Sequence, residues 1–114
     1  MNKNVDVDEY GLNKKIQGHI LPDDKMRKLG FTDRNLDNWY YCKGIAEDIS
    51  FNATIPKDGS RIRIDVLDEM FLQPYDYQRM SNKFAYFIKE QVEKQMNYLQ
   101  KAGVVSGHKY GEYI

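Results

Sequence analysis

The sequence predicts an α+β fold: a short helix, a three-stranded antiparallel meander, and a long C-terminal helix packed on one sheet face. Three observations carry this prediction. Two strictly alternating runs, residues 49–55 and 61–67, flank an Asp-Gly pair, which is the pattern of a β-hairpin. Apolar residues recur at steps of four and three from Met80 through Phe84, Ile88, Val92 and Met96 to Leu99, the stripe of an amphipathic helix. Between residues 22 and 30, a proline and two acids open a segment that Leu29-Gly30 closes, matching the asymmetry of helix ends.

The elements follow in chain order. Residues 1–20 carry little apolar content and read as a flexible or loosely packed arm. Within it, Val5-Asp6-Val7-Asp8 alternates like a short edge strand, and Leu12, Ile16, Ile20 and Leu21 have helical spacing weakened by Gly18. Residues 22–29 predict a two-turn helix, with Asp23 and Asp24 in its first turn and Gly30 stopping it in a left-handed conformation. Trp39-Tyr40-Tyr41-Cys42 marks the first strand, over residues 39–45. In the second strand Ile49, Phe51, Ala53 and Ile55 face inward, with Ser50, Asn52 and Thr54 on the other side. In the third, Ile62, Ile64 and Val66 face inward, and Arg61, Arg63 and Asp65 outward. The last helix is expected over residues 79–102, capped by Asp76 or Ser81 and ended by Gly103. Lys83, Lys89, Glu90, Glu93, Lys94 and Lys101 are assigned to its solvent face. Phe51, Ile64, Phe84 and Ile88 are the expected core centre. Residues 21–104 form the single domain, and 105–114 a tail.

Composition limits function. The chain has 114 residues, and seventeen basic side chains balance seventeen acidic ones, so a general nucleic-acid binder with a basic excess is disfavoured. No run approaches the ~18 apolar residues of a membrane span. Residues 1–9 are polar and acidic with no apolar run behind them, so no secretory leader is expected. With Cys42 as the one cysteine, no internal disulfide forms, and a reducing, cytoplasmic setting is expected.

Candidate chemistry is sparse. Asp65, Asp68 and Glu69 hint at a metal-dependent nuclease, but Asp65 shares a face with Arg61 and Arg63, where pairing is the simpler role. Asp68-Glu69 reads as a strand end or cap. Cys42, His19 and His108 lack the short spacings of a zinc site. Cys42 reads as a core or boundary residue and His108 as solvated in the tail. No cofactor, metal or catalytic residue is predicted. Contact with nucleic acid, the alternative, would fall to Lys57, Arg61, Arg63, Arg79 and Lys83. The densest apolar stretch is residues 62–78, where Met70, Phe71, Leu72, Tyr75 and Tyr77 surround Pro74 and cannot all face one small core. Phe71, Leu72, Tyr75 and Tyr77 are therefore the predicted partner contact. The end of the long helix around Met96, Tyr98 and Leu99 is expected to overhang the sheet. It would be covered by residues 12–21 or, in a homodimer rather than a monomer, by a second copy.

Residues 62–78, with Leu29-Gly30-Phe31 and Trp39-Tyr40-Tyr41, resemble small uncharacterised proteins of phages and prophages of low-GC Gram-positive bacteria. The resemblance covers residues 22–78 and carries no catalytic residues. It implies a phage or prophage setting, where many such proteins bind and modulate a host or phage macromolecule. The leading expectation is a non-enzymatic binding or regulatory protein in contact with a host or phage protein.

Overall fold

The computed structural model describes residues 16–33, 36–59, 61–77 and 81–108. Four strands form one antiparallel sheet in chain order: β2 (Asn38–Ala46), β3 (Ile49–Pro56), β4 (Arg63–Asp68) and β5 (Gln73–Pro74). Two short strands, β1 (Gln17–Gly18) and β6 (Val105–Ser106), pair with each other. Helix α1 spans Asp23–Leu29 and helix α2 spans Lys83–Ala102. The predicted meander is present, extended by β5.

Alternation fixes the sheet faces. Trp39 lies opposite Ile55, Tyr41 opposite Ala53, Ala53 opposite Ile64, and Phe51 opposite Val66. All of these are buried under the helices, whereas Cys42, Asn52 and Asp65 form a polar row on the other face. A one-residue slip would exchange the two sets. Ser50 departs from the expected outward role: it is buried, and its hydroxyl donates to Glu69 and accepts from Asn52.

Helix α1 begins at Pro22, whose carbonyl accepts from Lys25 and Met26. Gly30, at φ 108°, ends it by donating to Arg27, and Phe31 donates to Met26. These bonds satisfy carbonyls that the last helical turn leaves open. Asp33 then bridges Arg27 and Lys57 at 3.0 and 3.1 Å, and both cations lie over the buried Trp39 ring. Their hydrogen bonds to Asp33, Arg27's first and then Lys57's, hold its carboxyl below the usual range.

Helix α2 starts four residues later than expected. Neither Asp76 nor Ser81 is its cap: Asn82 accepts from the Ala85 amide at 2.8 Å. The expected stripe holds at Ile88, Val92, Met96 and Leu99, and only its start departs, at Phe84. Each step of four advances about 40° around a helix of 3.6 residues per turn, so a stripe from Phe84 to Met96 drifts by roughly 120°. The buried row is Ala85, Ile88, Val92, Met96 and Leu99, so Ala85 takes the place expected of Phe84. Phe84 is 46% exposed and does not belong to the core centre; Phe51, Ile64 and Ile88 do. Lys89 and Glu93, placed in solvent by the sequence pattern, are buried, and His108 covers Glu93 at 3.2 Å.

The long helix does not overhang the sheet, because it crosses the strands. Its first turn meets Tyr75, next to β5, and its later turns meet Tyr41 on β2 through Gln95 and Tyr98. Met96 and Leu99 are buried, and Tyr98 donates to the Leu29 carbonyl.

The domain boundaries move outward at both ends. Ile16, Val104 and Val105 are core residues, and His19 donates its amide to the Val104 carbonyl. Gly18 belongs to a strand rather than a helix. It packs so tightly that a Cβ there would sit 3.2 Å from Ile62. His108 is not solvated: it is buried, with its backbone bonded both ways to the Gln100 amide. The expectations for residues 1–15 and 109–114 lie outside the described residues.

Candidate functional site

The turn between β4 and β5 presents the most exposed apolar side chains on the sheet. Leu67 pairs with Pro74 and Asp68 with Gln73, leaving Glu69 to Leu72 as the connection. Asp68 shapes it: its carboxylate accepts from the amides of Met70 and Phe71 at 3.0 and 3.2 Å. Such a side-chain-to-backbone bond holds a turn without needing its other side chains. Met70, Phe71 and Leu72 are 65%, 67% and 81% exposed. Leu72 has φ 53°, the left-handed region where glycine or asparagine is favoured and a branched side chain carries strain.

Past Pro74 the chain turns back toward the core. Tyr75 donates its amide to Val66 and so shares the core-facing side of the sheet. It is half-buried, and its ring meets Phe84 edge-on at 6.1 Å. Phe84 stacks on Phe87 at 6.4 Å. Phe84 and Phe87 form an exposed aromatic pair on the first turns of α2, while Tyr86 points to another side of the helix, where Lys89 lies over its ring. Burial, and then the Asp68 charge, push the Tyr75 phenol above its ordinary range, so it is neutral at physiological pH and acts as an aromatic surface.

Of the predicted contact residues, Phe71 and Leu72 lie exposed on the β4–β5 turn, and Tyr75 lies beside Phe84 of α2. Tyr77 does not contribute. It is fully buried, because a tight turn, with its amide donating to the Tyr75 carbonyl, swings it under the sheet. Phe84 and Phe87 were missed as site residues. The available signal was Phe84-Ala85-Tyr86-Phe87 itself: at about 100° per residue, three aromatics in four positions spread around the helix and cannot all face one core.

The basic residues do not gather. Lys57 is held by Asp33 and Trp39, Arg63 pairs with Asp65 at 3.6 Å, and Arg61 is exposed where the chain enters β4. Lys83 is exposed at the start of α2. Arg79 lies outside the described residues. Asp65 takes the arginine-pairing role and Asp68 the capping role expected of them. Among the described residues, no group of three His, Cys, Asp or Glu side chains could hold a metal ion. Cys42 is exposed on the open sheet face, not in the core or at its boundary, since its strand position turns it away from the helices. No helix among the described residues is long and apolar enough to cross a membrane.

Comparison with protein-family models, with curated proteins and with solved structures finds no match.

Proposed function

We propose that this chain is a non-enzymatic binding or regulatory protein acting by protein contact, through the surface made by the β4–β5 turn and the first turns of α2. One observation carries the reading. Leu72 is both strongly exposed and left-handed, so neither core packing nor turn preference accounts for a leucine there. Strain of this kind persists where a side chain has another use. Met70 and Phe71 beside it, and Phe84 and Phe87 on the helix, supply the large side chains that interfaces concentrate. The Asp68 bonds hold the tip in one shape beforehand, which lowers the ordering cost of binding. The resemblance to phage and prophage proteins supports a host or phage protein as the partner.

The test is a Phe71→Ser/Phe84→Ser variant. Both side chains are exposed, so the variant keeps its fold by circular dichroism. Captured from a host lysate, the wild type retains a specific protein that the variant does not. Equal capture by both, or none by either, defeats the proposal.

A further inference from the structure

Strand β2 is an edge of the sheet, and its outer side is only partly used. Tyr40 exchanges two backbone hydrogen bonds with Thr32, at 2.8 and 2.7 Å. In an antiparallel ladder every second residue points its N–H and C=O to the same side, so Cys42 and Gly44 present theirs outward as Tyr40 does. Among the described residues nothing pairs with them there. Cys42, Lys43 and Gly44 are all exposed. Beside this open stretch lies a cleft of about 470 Å³, walled by Leu29, Gly30, Tyr41, Gln95 and Tyr98. Its rim is basic. Lys43 stands on the strand, and Lys94 and Lys101 flank Tyr98 at the i−4 and i+3 positions of α2, all three exposed. Glu90, one turn before Lys94, is the acid on that helix face.

We infer that this edge is a second binding site, independent of the aromatic surface, which accepts an extended acidic peptide as an added strand. Cys42 and Gly44 supply four backbone hydrogen bonds, the source of affinity in strand addition. The peptide residue level with Lys43 turns its side chain toward the cleft. A glutamate there lays its methylenes against Tyr98 and its carboxylate against Lys43. A Cβ at Gly44 would meet nothing within 4 Å, so the sheet face above this position is open as well. A second copy of the chain is the poorer occupant. Two-fold pairing of Cys42 with the other copy's Gly44 sets the two Lys43 side chains directly opposite, where like charges repel.

The probe is a fluorescein-labelled peptide, Thr-Ser-Thr-Val-Glu-Val-Thr-Ser-Thr, with a Lys-centred counterpart, followed by fluorescence anisotropy. The Glu peptide should bind saturably, more weakly as salt rises, and roughly tenfold more tightly than the Lys peptide. Lys43→Glu should reverse that preference. Gly44→Pro removes only an outward-pointing N–H, so it should keep the wild-type melt and lose the peptide. Should Gly44→Pro not fold, the Lys43→Glu reversal decides alone. Phe71→Ser/Phe84→Ser should bind the peptide as the wild type does, which separates this site from the aromatic surface. Absence of saturable binding, unchanged binding by Gly44→Pro, or a concentration-dependent dimer that Gly44→Pro abolishes would each overturn the inference.

Discussion

Truncating Phe51 and Phe84 separately measures how the long helix sits on the sheet. The two residues are chemically alike, but Phe51 is fully buried and packs edge-on against Tyr41 at 6.2 Å, while Phe84 is 46% exposed and touches Tyr75 and Phe87. Phe51→Ala removes a whole ring from the close-packed centre and should cost about 3–5 kcal/mol. Phe84 buries about half its surface, so Phe84→Ala forfeits about half of the ~1.5–3 kcal/mol that full burial confers, or about 1 kcal/mol. At about 2.1 cal/mol/K of unfolding entropy per residue, 1 kcal/mol corresponds to roughly 4 °C in this chain. The expected Tm losses are therefore about 12–20 °C for Phe51→Ala and about 4 °C for Phe84→Ala. Urea unfolding monitored by circular dichroism gives the free energies directly, provided the slope is unchanged. Equal losses for the two variants would mean that α2 is rotated to bury Phe84, and the aromatic surface would then not exist.

Three further outcomes follow from local geometry. Asn82→Ala should destabilise by about 1 kcal/mol through loss of the α2 cap, in a urea titration where Ser81→Ala is near neutral. The Asp33 carboxyl is held low by Arg27 and Lys57, so its contribution is complete above the unfolded carboxylate value of about 3.9 and is lost as pH falls through the lower folded value. The stability gap between wild type and Asp33→Asn should stay constant from pH 7 to about pH 5 and close below about pH 4; a gap that widens on acidification would contradict the pairing. Cys42 should react with a thiol reagent in the native protein as fast as in urea, since its side chain is exposed; protection in the native state would place it in the core.

The parts of the fold legible in the sequence are those set by short-range pattern. Alternation in residues 49–55 and 61–67 depends only on the two-residue repeat of a strand, and Asp58-Gly59 joins the two runs, so the meander and its buried face could be read directly. Leu29-Gly30 and Gly103 marked helix ends because the left-handed stop is local, and both stops are present. The buried face of α2 was legible at Ile88, Val92, Met96 and Leu99; its start was not, because Phe84 and Ala85 lie on neighbouring seams and packing selects between them. The β1–β6 pair joins two-residue segments from opposite ends of the chain, too short to leave any periodic trace. Closing that pair carries Val104 and His108 back along the helix and buries Glu93, whose charge had suggested solvent. The contact surface was half legible: crowding of bulky residues around Pro74 pointed to Phe71 and Leu72, but the turn that buries Tyr77 and the packing that leaves Phe84 exposed are tertiary outcomes.

Photo-crosslinking from the β4–β5 tip tests the proposed contact most directly. A benzophenone side chain replaces Phe71 in one variant and Leu36 in another. Leu36 is an apolar control, 79% exposed, placed by β3's far end near Pro56 and Lys57. Irradiated in host lysate, the position-71 probe should yield a discrete crosslinked protein that the position-36 probe does not. The same adducts from both positions, or none from position 71, would contradict the assignment of this surface to protein contact.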